Sequence, residues 1–143
     1  MDVLTEAFAC HGYHSFTPGE RLYFFTWWFF AETNGGGLHQ FFYNDAGAYA
    51  EDVLEGLERI GGTQTAGILR RTMAIFPGSR LPTDILERRE ALCDLPDELQ
   101  WDLLGELNTE LFQSREPLVE RIEDYIREHP QEFARFQELR APV

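Results

Sequence analysis

The sequence predicts an all-α fold, a compact single-domain bundle of several helices that spans residues 1–143. Apolar residues recur at three- and four-residue spacing, which is typical of amphipathic helices, and glycines and prolines stand where these patterns begin and end. No long run alternates apolar and polar residues as a half-buried strand does. With 43% hydrophobic residues, the chain has enough apolar material for one core. We divide it into an N-terminal segment at 1–16 and a core at 17–139.

The first clear helix begins within "SFTPGERLYFF" and is predicted to run to about Glu32. Thr17 is a suitable N-cap, a proline follows at the first helical position, and Glu20 completes a capping box. The aromatic stretch "LYFFTWWFFA" predicts burial on most sides of this helix, and it is too short to span a bilayer. Asn34 and Gly35 form a natural helix stop.

A glycine-rich stretch, "ETNGGGLHQFFYND", continues to residue 45. Its three glycines are expected to reverse the chain, and an extended segment is considered near 34–44 because aromatic residues favour strands. Polar side chains are expected to bond backbone groups of this loop, and two aromatic residues to fill the core. The polar residues are His39, Gln40 and Asn44, and the aromatic residues are Phe41 and Phe42. A phosphate-binding loop is not expected, because it needs a lysine after the glycines and the chain has none.

Six further helices complete the predicted fold, and each is bounded by a cap, a glycine or a proline. They cover residues 48–62, 64–76, 83–95, 97–112, 117–129 and 130–139. Thr63 is the predicted cap of the helix at 64–76. Met73 and Trp101 lie at helical core spacing and are expected to pack inside.

The histidines and cysteines leave open one alternative function, a small hydrolase. His39 would be its general base with Asp45 beside it, or Cys10, His11 and His14 would hold a metal. However, no serine or cysteine nucleophile lies near His39, and no Cys-x-x-Cys or His-Glu-x-x-His motif is present. We therefore expect no catalytic residue, no metal site and no cofactor.

The N-terminal residues and the cysteines predict a cytoplasmic location. The N-terminus "MDVLTEAF" carries acids where an export signal carries basic residues. Two cysteines, Cys10 and Cys93, are too few for a disulfide framework, and reduced thiols are typical of the cytoplasm.

Net charge is the outlying property of the composition. Twenty-five acids face twelve bases, all of them arginine, which gives a net charge of −13. Such a chain repels nucleic acids and anionic membranes and attracts basic partners. We therefore expect neither direct nucleic-acid binding nor membrane binding.

Two rows of acidic residues are the candidate partner-binding site. The 94–110 row consists of Asp94, Glu98, Asp102, Glu106 and Glu110, and the 116–132 row consists of Glu116, Glu120, Asp124, Glu128 and Glu132. Arg121 and Arg127 partly compensate the second row. Like charges four residues apart cost about 0.2–0.5 kcal/mol per pair, so stability alone does not favour such rows. A merely solvated acidic face stays open as the alternative.

The spacing of the carboxylates bears on what the rows can imitate. Steps of four residues rise about 6 Å along a helix, whereas a DNA strand presents a phosphate about every 3.4 Å. A DNA mimic would therefore need both rows side by side, or a homodimer.

The glycine-rich stretch, followed by "LERIGG" and "AGILRRTMAIFPG", resembles the bacterial DNA-mimic protein family, whose members are mostly catalogued as a domain of unknown function. The similarity covers residues 18–136. It implies a compact helical fold, no known enzymatic activity, and a role as a dimeric acidic protein that occupies a partner's DNA-binding surface. It also implies that the glycine-rich stretch is a fold signature, although Gly37 and Leu38 depart from the usual pattern.

These observations together predict a non-enzymatic acidic binding protein, a DNA mimic whose carboxylates occupy the basic surface of a DNA-binding protein or nuclease. An immunity or inhibitor protein for a basic toxin or nuclease uses the same chemistry, so that alternative stays open.

Overall fold

The computed structural model describes residues 2–136, and seven complete α-helices and one π-helical turn lie within them. The helices are α1 (Asp2–His11), α2 (Pro18–Tyr43), α3 (Ala50–Arg59), α4 (Thr63–Met73), α5 (Ile85–Cys93), α6 (Leu104–Gln113) and α7 (Leu118–Glu128). The π-helical turn, Glu98–Leu103, is called the π turn below. Turns of 3-10 helix occupy Gly12–Ser15, Asp45–Tyr49, Pro77–Ser79 and Pro130–Phe133. The described residues contain no strand, and the predicted all-α class is confirmed.

α2 is the central helix, since α1, α3, α5, α6 and α7 all pack against it. The predicted capping box opens it: the backbone N–H of Glu20 donates to Thr17 Oγ1 at 3.1 Å, and the Thr17 N–H donates to Glu20 Oε1 at 3.0 Å. Phe25 and Phe29 of this helix are almost fully buried, as its aromatic density predicts. No helix within residues 2–136 combines the length and the hydropathy that a membrane span requires.

The predicted end of this helix and the extended segment near 34–44 are wrong. α2 continues to Tyr43, and only Gly36 and Gly37 leave helical geometry, at a kink. Phe41 and Phe42 are fully buried as predicted, but they lie on the helical segment after the kink. Packing against the core here overrides the preference of aromatic residues for strands.

The kink is held by a side chain from α6. Gly37 has φ 72° and ψ −167°, a conformation that is essentially restricted to glycine. The buried N–H of Leu38 donates to Asn108 Oδ1 at 2.7 Å. A Cβ on Gly37 would lie 2.8 Å from the same oxygen, so the close approach of Asn108 also requires a glycine.

Polar side chains of the glycine-rich stretch bond across the kink. Gln40 Nε2 and Asn44 Nδ2 each donate to Glu32 Oε2 at 2.9 Å. The expectation that these residues bond backbone groups of a loop is wrong, because the segment is helical and its backbone groups are largely paired within the helix. The stretch therefore joins the two halves of α2.

Two arginines of α5 close the C-terminal end of α2. Arg88 is fully buried and donates to the carbonyls of Phe42 (2.7 Å) and Asn44 (2.8 Å). It also donates to the carbonyls of residues 82 and 83, at 3.2 and 2.9 Å. Arg89 donates to the Tyr43 carbonyl at 2.8 Å and lies over the Tyr43 ring. Since the last carbonyls of a helix lack partners within it and carry partial negative charge, these cations stabilise the helix end.

The segment before residue 17 contributes to the core. Leu4 of α1 is fully buried, and Phe8 contacts the rings of Phe24, Trp28 and Tyr49. Such offset and edge-on ring contacts add to the burial of apolar surface. α1 is thus packed against α2.

Several helix boundaries differ from the prediction. The helix predicted at 97–112 begins as the π turn and becomes α-helical only in α6. The helix predicted at 130–139 begins as a 3-10 turn, is helical to residue 136, and has its last three residues outside the described part of the chain. Met73 packs against the core as predicted, whereas Trp101, also predicted to pack inside, is 66% exposed.

Candidate partner-binding surface

The 94–110 row does not lie on one continuous helix. Asp94 is the C-cap of α5, Glu98 and Asp102 belong to the π turn, and Glu106 and Glu110 belong to α6. A π turn holds about one residue more than an α-helical turn. Because each residue turns a helix by roughly 100°, the residues after the π turn are rotated by about that angle relative to a continuous α-helix. The regular four-residue spacing in the sequence therefore does not place all five carboxylates on one face.

Four of these five carboxylates have no cationic partner within residues 2–136. Asp94, Glu98, Asp102 and Glu106 are exposed, and no ion pair or hydrogen bond engages their side chains anywhere in residues 2–136. Glu110 differs, because its carboxylate accepts a hydrogen bond from Arg71 of α4. The row thus presents four free negative charges and one compensated charge.

Glu116, from the second row, has a structural role at the start of α4. Its carboxylate accepts hydrogen bonds from Thr65 Oγ1 at 2.7 Å and from the N–H groups of Thr65 and Gln64. The side chain is only 9% exposed and lies 3.6 Å from Arg121. Glu116 therefore caps α4 in place of Thr63, which is the first residue of the helix and not its cap as predicted.

These contacts change the acidity of Glu116. Burial raises the pKa of its carboxyl, but the hydrogen bonds from Thr65 and Gln64 and the charge of Arg121 together outweigh burial. The pKa of Glu116 is therefore below its ordinary value. Since the ionised carboxylate already has four partners inside the protein, it contributes little free charge to a surface.

The other members of the 116–132 row divide in the same way. Glu120, Asp124 and Glu128 are exposed on α7 at true four-residue helical spacing, and Asp124 pairs with Arg127. Glu132 lies beyond α7 and accepts a hydrogen bond from the Tyr125 hydroxyl at 2.8 Å. The continuous part of this row is thus limited to three residues of α7.

An open groove runs beside the 94–110 row, and the sequence did not predict it. The groove has a volume of about 770 Å³ and is lined by residues of the π turn, α6 and α4. Trp101 and Leu103 contribute exposed apolar surface to it, and Asp102 and Glu106 contribute carboxylates. The only signal in the sequence was a large aromatic residue within an acidic run, which the four-residue pattern of apolar residues assigned to the core.

The residues of the hydrolase alternative do not form a site. The His39 ring stacks on Tyr43, and no hydrogen bond joins it to Asp45. In the described part of the chain, no group of three or more His, Cys, Asp or Glu side chains is placed to hold a metal ion. Cys10, His11 and His14 therefore do not converge, and Cys10 and Cys93 are free and exposed.

Comparison with known proteins adds one finding. A family model described as DMP19-like protein matches residues 14–129, well over half of the chain. The matched region contains the glycine-rich stretch, the 94–110 row and the three carboxylates of α7. No curated protein and no solved structure matches the chain.

Proposed function

Because the chain belongs to the DMP19-like protein family, the DNA-mimic family that its glycine-rich stretch resembles, we propose that it is a non-enzymatic DNA mimic. Its exposed carboxylates stand in for phosphates and occupy the DNA-binding surface of a basic cytoplasmic protein. The observation that carries this proposal is the set of exposed carboxylates of Asp94, Glu98, Asp102 and Glu106, which have no ion pair among residues 2–136.

Electrostatic cost supports a binding role for these carboxylates. Some exposed acids elsewhere in the described residues are paired with arginines, as Glu55 is with Arg59 and Glu58 with Arg70, whereas Asp94, Glu98, Asp102 and Glu106 are not. Such pairs relieve the repulsion that neighbouring like charges cause on a helix. Carboxylates left unpaired over several turns stay available to the lysines and arginines of a partner.

The density of charge favours more than one row. Exposed carboxylates about 6 Å apart on α7 are sparser than the phosphates of one DNA strand. We propose that the carboxylates of the π turn and α6 act together with those of α7, or with those of a second copy in a homodimer. In either arrangement the mimic itself repels nucleic acid, since its net charge is −13.

Capture from a lysate of the protein's own host, washed at graded salt, tests this proposal. The protein should retain a basic protein at low salt and release it steeply as salt rises, because counterions compete for the carboxylates. The variant Glu98→Gln, Asp102→Asn, Glu106→Gln should capture much less of it. Retention that is insensitive to salt would contradict the proposal.

A matched variant controls for net charge alone. Glu6, Glu51 and Glu87 are exposed and lie outside both rows, and changing all three to Gln alters the net charge equally. This control should capture the partner almost as well as the wild type does. Equal losses in both variants would mean that only the overall charge matters. Capture of a toxin or nuclease in place of a DNA-binding protein would favour the immunity alternative, which shares this chemistry.

A further inference from the structure

The groove beside the 94–110 row is lined by an aromatic side chain that is largely exposed to solvent. Trp101 is 66% exposed and Leu103 is 37% exposed, and both line the groove. Tryptophan usually buries most of its large apolar surface, so its exposure forgoes stabilisation. Trp101 lies within the π turn, and such turns are frequently found at functional sites.

The groove is lined in part by a glycine that the fold does not require. Gly105 lies inside α6, where glycine is less favourable than alanine. A Cβ at this position would meet no atom within 4 Å, and its φ lies outside the region that favours glycine. Neither packing nor backbone conformation therefore requires a glycine here. Gly105 lines the groove together with Trp101.

The charges around the groove indicate the occupant. Asp102 and Glu106 line it and have no cationic partner in residues 2–136. Two copies of this chain meeting through the groove would bring these carboxylates together, which disfavours a second copy as the occupant. A cation attracted by the carboxylates would also meet the indole ring, and tryptophan is the strongest cation–π partner.

The groove already holds one pair of the expected kind. At its wall, the Arg71 guanidinium donates to the Glu110 carboxylate. Arginine suits such a site better than lysine, since its planar guanidinium stacks on aromatic rings, binds carboxylates through two parallel donors and is more weakly hydrated. We propose that the groove binds an arginine of the basic partner, with its guanidinium stacked on Trp101 and paired with Asp102 and Glu106.

This inference rests on the proposed function and adds a residue-specific anchor to it. Phosphate mimicry alone would make any preference for arginine independent of Trp101. The groove should instead give the surface a preference for arginine that depends on Trp101. The contact with Trp101 should also retain part of the binding affinity when salt screens the carboxylates.

Two peptides of equal length and charge provide the test, one of alternating arginine and glycine and one of alternating lysine and glycine. Calorimetric titration should show tighter binding of the arginine peptide by the wild-type protein. Trp101→Ala should weaken that binding by about threefold to thirtyfold, as loss of a cation–π contact would, and remove the preference. Trp101→Phe should keep part of it, and Leu86→Ala, which removes an exposed apolar residue outside the groove, should change nothing.

A second measurement does not depend on how the variants fold. Acrylamide quenching in the wild type reports mainly on Trp101, because Trp27 and Trp28 are less exposed. The bound arginine peptide should shield this fluorescence from acrylamide more than the lysine peptide does. Equal affinities and equal shielding for the two peptides would overturn the inference.

The two proposals fail in different ways. If both peptides bind equally and both are released by salt, the groove inference fails while the mimic proposal stands. If the arginine peptide binds through Trp101 but the protein captured from the host lysate is not released by salt, the mimic proposal fails while the groove inference stands.

Discussion

Replacing Gly37 by alanine tests whether the glycine-rich stretch serves the fold. The backbone of Gly37, with φ 72° and ψ −167°, should cost an alanine about 1–3 kcal/mol in strain. The new Cβ would lie 2.8 Å from Asn108 Oδ1, so Asn108 must move and the buried Leu38 N–H loses its acceptor. That loss costs about 1–3 kcal/mol more. We expect Gly37→Ala to lower the free energy of unfolding by about 2–6 kcal/mol.

A double-mutant cycle separates the two contributions. Asn108→Ala alone removes the acceptor of the Leu38 N–H and should cost about 1–3 kcal/mol. The double variant Gly37→Ala/Asn108→Ala loses this hydrogen bond only once. Its loss of unfolding free energy should therefore be smaller than the sum of the two single losses by about 1–3 kcal/mol.

Urea unfolding followed by far-UV circular dichroism measures these free energies. Gly67→Ala is the matched control, because its Cβ would meet no atom within 4 Å inside α4. This control should stabilise the protein by up to about 1 kcal/mol. Strictly additive costs in the cycle, or a Gly37→Ala variant within about 0.5 kcal/mol of the wild type, would refute the structural explanation of the stretch.

Three further predictions concern single side chains. Arg88→Met should lower the free energy of unfolding in urea by about 3–5 kcal/mol, because it leaves several carbonyls without a donor. An unchanged unfolding midpoint would contradict this prediction. Asp102→Asn removes one negative charge from an acidic stretch without cationic partners in residues 2–136. It should raise the free energy of unfolding by up to about 1 kcal/mol at low salt and by less at high salt, and a lower free energy of unfolding would mean that the carboxylate makes a stabilising contact. The pKa of Glu116 is lowered in the folded protein, so the ionised carboxylate stabilises the fold. This stabilisation is complete above the unfolded pKa of about 4.3 and is lost as the pH falls through the folded pKa. The difference in unfolding free energy between wild type and Glu116→Gln should narrow over that range, and a difference independent of pH would contradict the assignment.

Local signals predicted the fold class and the start of the central helix. The Thr17–Glu20 capping box depends only on residues three apart, and both of its hydrogen bonds are present. Burial of Phe41 and Phe42 followed in the same way from their size and apolar character. These features could be predicted because residue type and local spacing are enough to indicate them.

Long-range contacts account for what the sequence did not predict. α2 passes Gly36 and Gly37 because Asn108, seventy residues away, accepts the freed N–H of Leu38. Similarly, Glu116 caps α4 from a distance of 51 residues along the chain. No local pattern identifies either partner.

The arrangement of the two acidic rows could be predicted only in part, for a geometric reason. Four-residue spacing places carboxylates on one face only within a continuous α-helix, which holds for Glu120, Asp124 and Glu128 on α7. The π turn interrupts that register in the 94–110 row. It contains Trp101, which is exposed although the same four-residue pattern assigned it to the core. A π turn has no clear signal in a single sequence.

The most direct test of the DNA-mimic proposal is competition for the partner's DNA-binding surface. The basic protein captured from the host lysate is bound to a fluorescently labelled DNA duplex, and this chain is titrated in while anisotropy is measured at several salt concentrations. We expect full displacement of the duplex at low salt, progressively weaker displacement as salt rises, and little displacement by the variant Glu98→Gln, Asp102→Asn, Glu106→Gln. A ternary complex in which the partner holds the duplex and this chain together would contradict the proposal.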